Sequence, residues 1–183
     1  MIVLASRSPR RAELLRNAGF DFVVRAADID ETPRSGEAAL EYASRLAEEK
    51  NLAVESGADE IVLAADTVVV LGSEIMGKPA DAADARRMLA ALSGRKHEVI
   101  TAISLRSGRR ILNDSASTAV WFSPLTDEEI ESYIASGEPM DKAGAYGIQG
   151  IASRYIDRIE GSYSNVVGLP VGMVYYHLQQ LVA

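Results

Sequence analysis

Residues 61–71 read IVLAADTVVVL, an almost unbroken apolar and β-branched run whose one polar interruption is Asp66-Thr67. A strand with one wet face alternates apolar and polar residues, whereas a continuous run belongs to a strand covered on both faces. A carboxylate inside such a strand is costly to bury unless it is paired, hydrogen-bonded or coordinated to a cation, so Asp66 is expected at a cleft. The run thus fixes a buried strand and singles out the residue in it that calls for a chemical explanation.

The segments around it alternate between helical and extended patterns, which makes the chain α/β. Ile2 to Ala5 reads as a short buried strand, and Pro9 suits the first turn of a helix with Ala12, Leu14, Leu15 and Ala18 inside and Gly19 as its stop. Phe20 to Val24 reads as a second strand ending in the acidic DIDET. A long helix follows from about Glu37 to Glu55, with Tyr42, Leu46 and Ala53 on its inner side. Leu71-Gly-Ser-Glu74 marks a hairpin turn, Asp81 caps a helix through Leu92, and His97–Leu105 with Ile111–Phe122 form a second hairpin around Ser107-Gly108. Thr126 to Glu129 has capping-box spacing for a helix ending at Gly137. A glycine-rich stretch, EPMDKAGAYGIQG, leads to a strand near Tyr155–Ile159, and a helix over Leu169–Leu181 closes the chain.

At 183 residues, with no repeat or linker, the chain reads as a single domain, 1–183, able to bury a core without a staple. It has no cysteine, which excludes disulfides and thiolate chemistry and fits a reducing cytoplasm. The N-terminus puts its apolar residues before its arginines, the reverse of a secretory signal, and no run is long enough to cross a bilayer. A net charge of −7 argues against a surface that wraps a nucleic acid polymer. Any anion site must therefore be local, and Arg7, Arg10 and Arg11 are the cluster that could make one.

That cluster lies in SRSPRR, at the exit of the first strand. A strand turning into a helix points unpaired N–H groups and the positive end of the helix dipole at the loop, a geometry that binds phosphate. Ser6 and Ser8 can add hydroxyl donors, and Arg10 and Arg11 can grip phosphate oxygens in bidentate fashion. The same hexapeptide also fits a plain helix cap with solvated arginines. Glu31 supplies a second carboxylate for Asp66, and two such groups near a polyphosphate suit a hard divalent cation; the competing reading is a structural ion pair with a nearby lysine or arginine. Lys78, Asp141 and Lys142 extend the polar inventory, and Tyr146 offers an aromatic surface. The Gln149 amide, donor and acceptor at once, could pair with the edge of a pyrimidine. His97 and His177 lack partners at zinc-ligand spacing and read as structural. Tyr133, Tyr175 and Tyr176 lie on helical patterns and read as core or interface.

Taken in order, LASRSPRRAELL, DIDE with RLAEEK, AADTVVV, GKP, GRKHEVITA, GEPMDKAGAYGIQG and GSYSNVVGLP resemble the Maf family of nucleoside triphosphate pyrophosphatases over almost the whole chain. The resemblance implies an elongated mixed sheet flanked by helices, similar to the inosine triphosphate pyrophosphatase fold, and a homodimer. It implies a divalent cation, Mg²⁺ or Mn²⁺, with Glu31 and Asp66 as ligands. Asp66 matches the proton acceptor, Lys78 a catalytic cation, and Ser6, Ser8, Arg10, Arg11 and Lys50 the polyphosphate site. Arg10, Thr67 and Gln149 match positions tied to substrate specificity. Members with ADT and DKAGAYGIQG look like the branch that hydrolyses dTTP and UTP, or modified pyrimidine nucleotides. Arg7 stands where the family commonly has a small residue. Outside this chemistry, the same loop would serve a nucleotide-binding regulator of septum formation without important hydrolysis, or a nucleotidyltransferase.

Overall fold

The apolar run at 61–71 forms one strand from end to end. The computed structural model describes residues 1–182, the last as backbone alone. In chain order it holds β1 (Ile2–Leu4), α1 (Pro9–Asn17), β2 (Phe22–Val24), α2 (Ala39–Leu52), β3 (Ile61–Leu71), β4 (Glu74–Met76), α3 (Ala82–Leu92), β5 (Lys96–Ser107) and β6 (Arg110–Phe122). Then come α4 (Asp127–Ala135), 3₁₀ turns at Glu138–Asp141, Ala143–Ala145 and Ile151–Tyr155, β7 (Ile156–Glu160), α5 (Tyr163–Val167) and α6 (Val171–Val182). The strands make a seven-stranded sheet in the order β2-β1-β3-β5-β6-β7, with β4 added to β3. The sheet is mixed: β1 runs parallel to β2 and β3, while β3–β4 and β6–β7 are antiparallel.

By its contacts the chain divides into two compact units: one of Met1–Thr67, Thr101–Ala116 and the segment from Gly168 onward, the other of Val68–Ile100 and Ser117–Val167. In the first unit Ile2, Leu4, Leu63 and Ala65 pack with Leu15, Leu169, Val174 and Leu178, while Val3, Ala5, Val62 and Ala64 pack on another cluster with Val54. Successive side chains of a strand point to opposite faces, so alternate residues of β1 and β3 fill two separate cores. This is why the sequence there is continuously apolar.

The inner face of α2 is Ala43, Leu46, Ala47 and Asn51, with Tyr42 half-buried and Ala53 exposed, so the expected face is rotated. Asn51 displaces it. Fully buried, its Nδ2 donates to the carbonyls of Val62 at 3.1 Å and Ser104 at 2.7 Å, and its Oδ1 accepts from Arg106 Nε at 2.9 Å. A polar side chain that satisfies two strand carbonyls can sit where apolar periodicity would not place it.

The second unit has its own core, in which Ala85, Met88, Leu89 and Leu92 of α3 and Ile130 and Tyr133 of α4 pack with Val69, Leu71, Val99, Val120 and Phe122. Both helices start as expected: Asp81 accepts from Asp84 N at 2.8 Å, and Thr126 accepts from Glu129 N at 3.2 Å. Each cap is worth about 1 kcal/mol. Tyr146, read as an available aromatic surface, is instead buried in this core. Its ring meets Phe122 edge-on at 4.8 Å, and its hydroxyl shares a 2.8 Å hydrogen bond with His97 Nε2. Burial pushes the Tyr146 pKa up and holds His97 neutral, with its pKa pushed down to about 4.

Candidate active site

The first unit builds its polar cluster where β1 turns into α1 and where β3 is interrupted. Ser8 precedes Pro9 as the cap residue of α1, yet its side chain makes no cap hydrogen bond; its N–H donates to Ser6 Oγ at 3.2 Å instead. Ser6 also accepts from Arg11 Nη1 at 3.2 Å, while Arg11 Nη2 donates to Thr67 Oγ1 at 3.0 Å and Nε to the Gly168 carbonyl at 2.8 Å. Each guanidinium nitrogen thus makes one bond inside the protein, which leaves one N–H on each Nη. Arg11 ties the β1–α1 loop to β3 and to the turn before α6. Burial lowers its pKa, opposed chiefly by the Asp66 charge, and neighbouring Arg10, half-buried on α1, lowers it further. Thr67 is held from its other side by Thr101, whose hydroxyl lies 2.9 Å from its own.

Asp66 is 8% exposed. Lys50 Nζ donates to its Oδ1 at 2.6 Å and lies 2.7 Å from Glu31 Oε1, so one ammonium joins both carboxylates. Burial raises the Asp66 pKa, and the nearby Lys50 and Arg11 charges offset only part of that rise. The ion pair considered for Asp66 therefore exists, with Lys50 as partner. It does not neutralise the cost of burying the charge.

Glu31 reaches this point because its segment is strapped to α2. Tyr42 Oη donates to the Glu31 carbonyl at 2.7 Å, Arg45 Nη2 donates to the Thr32 carbonyl at 3.2 Å, and Arg45 Nε meets Glu37 Oε1 at 2.5 Å. Tyr42 and Arg45 stand three residues apart and so adjoin on the helix surface. The Arg45 hydrogen bond pushes Glu37 down to about 2, and burial together with the Asp66 and Glu31 charges pushes Tyr42 up to about 12.

The first unit therefore gathers Ser6, Ser8, Arg10, Arg11, Glu31, Lys50, Asp66 and Thr67. Lys78, exposed after β4, and Gln149, exposed in a turn, belong to the second unit. Sequence reasoning missed Thr101, the Gly168 carbonyl and the strap made by Tyr42 and Arg45. The strap left a trace in the i,i+3 spacing of Tyr42 and Arg45, but the two others act through a buried hydroxyl and a backbone oxygen that no pattern marks.

Among the described residues no three His, Cys, Asp or Glu side chains gather to hold a metal ion. The protein itself offers two carboxylates, Glu31 and Asp66, that already share one positive charge. Magnesium is commonly bound through one or two carboxylates together with substrate phosphates, so this donor pair fits such a cation.

A family model described as Maf-like protein matches residues 1–181. The chain belongs to the Maf family. This Maf protein is 54% identical over 173 residues to the dTTP/UTP pyrophosphatase of Geobacter metallireducens, covering 93% of this chain and 90% of that one. It is 52% identical over 183 residues to the dTTP/UTP pyrophosphatase of Geobacter sulfurreducens, covering 98% and 96% of the two chains. Among solved structures the Maf chain matches the Staphylococcus aureus Ham1 protein with a TM-score of 0.54 at 14% identity over 98% of both chains. A Ham1 protein from Coxiella burnetii matches with a TM-score of 0.50 at 19% identity over 99% of this chain and 97% of that one. Those likenesses show the fold, a mixed α/β sheet flanked by helices. No helix among the described residues is long and apolar enough to cross a membrane.

Proposed function

We propose that this protein hydrolyses dTTP and UTP to the nucleoside monophosphate and pyrophosphate, in the cytoplasm and as the homodimer that the family resemblance implies. The observation that carries the reading is Asp66: a nearly buried carboxylate whose pKa is raised, one residue from the threonine that Arg11 grips. A carboxylate whose pKa is raised is a better general base, and the Lys50 charge 2.6 Å away opposes that rise by favouring the ionised form. Asp66 takes a proton from the water that attacks the α-phosphorus. A new P–O bond forms to that water, the bond from the α-phosphorus to the bridging oxygen breaks, and pyrophosphate departs with the electron pair.

The cations supply what phosphoryl chemistry needs most, electrostatic stabilisation of a charge that spreads in the transition state. Ser6, Ser8 and Arg10 at the head of α1 are the phosphate grip, and the family resemblance assigns Lys78 a catalytic charge and Gln149 the reading of the base. Arg11, three of whose five N–H groups go to Ser6, Thr67 and Gly168, shapes the grip and keeps one N–H on each Nη for a phosphate oxygen. Glu31 and Asp66 would hold the divalent cation, which when bound supplies positive charge to the triphosphate.

The test is pyrophosphate release from dTTP, UTP, CTP, ATP and GTP with magnesium or manganese, using Asp66→Asn as the blank. Release from dTTP and UTP well above the other three is the expected result. Triphosphates that bind but are not cleaved above the blank would overturn hydrolysis and leave a nucleotide-binding regulator.

A further inference from the structure

The turn that presents Gln149 is built around a carboxylate with no part in the chemistry above. Glu138 follows α4, and its side chain turns back on two neighbours: Oε1 accepts from Tyr133 Oη at 2.9 Å and Oε2 from Ile151 N at 2.9 Å. Tyr133, 1% exposed, in turn accepts from Gly147 N at 3.3 Å. Gly147 and Ile151 bracket the turn, which is closed by a Gly150 N–H donating to the Gly147 carbonyl at 3.2 Å. Both ends of the turn are thus tied, directly or through one phenol, to the same carboxylate.

The glycines follow from that arrangement. A Cβ on Gly150 would overlap the Glu138 carboxylate, and one on Gly147 would stand 2.7 Å from Lys142 Cε, where Lys142 donates to the Glu138 carbonyl at 2.6 Å. Gln149 itself is exposed at the tip, and its amide bonds to none of the described residues. An exposed amide without a partner is aimed only by the backbone beneath it. Whatever discrimination Gln149 achieves is therefore set by how firmly the turn is held.

We propose that Glu138, acting with Tyr133, is the positioning residue for pyrimidine recognition: it holds the 147–151 turn in the conformation that presents the Gln149 amide to the base. The inference rests on Gln149 reading the base. A carboxylate suits the task because it accepts from both donors at once. In Glu138→Gln one oxygen can still accept from Ile151, but the amide nitrogen facing Tyr133 cannot accept its proton.

The experiment measures kcat and KM for dTTP and UTP against CTP and GTP in the parent protein, Glu138→Gln, Tyr133→Phe, Gly150→Ala, Gln149→Ala and the double variant Glu138→Gln/Gln149→Ala. The preference for dTTP and UTP should fall about tenfold in Glu138→Gln and Gly150→Ala, of the order a good paired base contact supplies, and mainly through KM. Tyr133→Phe, which keeps the Ile151 bond, should lose less. The double variant should be no less selective than Gln149→Ala alone, since both changes remove one device. A carboxylate that only stabilised the fold would lower kcat for all four triphosphates alike and leave their ratio unchanged, which overturns the proposal. If Gln149→Ala destroys the preference while Glu138→Gln and Gly150→Ala keep it, positioning fails and base reading stands. If Gln149→Ala leaves the preference intact, base reading fails and the route through Glu138 fails with it. Should Glu138→Gln not fold, Gly150→Ala and Tyr133→Phe carry the same comparison.

Discussion

Asp66 shows how a single residue can be retained against the interest of the fold. Its pKa is raised because burial outweighs the attraction of Lys50 and Arg11. A carboxyl group whose folded pKa lies above its unfolded value contributes stability below the unfolded pKa and loses it as pH rises through the folded one. Ionising Asp66 is therefore a net cost to the fold. Asp66→Asn should abolish pyrophosphate release by a factor of about 10²–10⁴, the usual worth of a general base. Its melting temperature at pH 7.5 should nevertheless equal or exceed that of the parent, with the difference closing as the pH falls toward the ordinary carboxylate value of 3.8. Thermal unfolding of both proteins across that range checks it, and a clearly lower melting temperature for the variant would mean that the Lys50 pair outweighs desolvation. The sequence alone exposed Asp66 as an anomaly because a carboxylate breaks an apolar run visibly. It could not show Lys50 as the partner, because sixteen positions of chain separate them and one helical lysine looks like another.

At the scale of elements, legibility followed the source of order. β3 matched its expected bounds because continuous burial on two faces writes itself into every residue, and α3 and α4 matched at their starts because a side-chain cap is a local bond. The face of α2 keeps the expected Leu46 but turns away from Ala53, because Asn51 holds its place by hydrogen bonds to two strand carbonyls, which periodicity cannot register. The stretch after α4, read as a glycine-rich loop, proved to be a chain of 3₁₀ turns. Its glycines are fixed by neighbours distant in sequence. Gly144 lies at φ 67°, and a Cβ there would stand 2.8 Å from Val69 Cγ2, while its N–H donates to the Gly77 carbonyl at 3.0 Å. Gly144→Ala meets both a left-handed backbone, at about 1–2 kcal/mol, and overpacking against β3, at about 1–3 kcal/mol. The expected loss is about 2–5 kcal/mol, or a melting temperature lower by about 4–20 °C for a chain of this size. Urea denaturation with an unchanged m-value would locate that loss in the native state, and a shift under 1 kcal/mol would show that the turn relaxes around the methyl.

For the whole molecule, charge decides which phosphates it can hold. A net charge of −7 over 183 residues argues against a broad basic surface, while the entry to α1 concentrates Arg7, Arg10 and Arg11 within five positions. Exposed charges are screened beyond about 8 Å at physiological ionic strength, so a compact triphosphate seated at such a cluster feels the local arginines more than the distant carboxylates. A polynucleotide needs cations spaced along many phosphates, which a chain with a net charge of −7 is poorly supplied with. Binding should therefore discriminate by size as well as by base. In Asp66→Asn, which spares the ligand from hydrolysis, dTTP with its magnesium at about one hundred times its Kd should stabilise the fold by about 2.7 kcal/mol. For a protein of this length that is a rise in melting temperature of about 5–10 °C. An oligothymidylate at the same nucleotide concentration should leave the melting temperature unmoved. If the oligomer stabilises the protein as much as dTTP does, the site accepts phosphodiesters along an extended track, and the charge argument that confines this protein to free nucleotides is wrong.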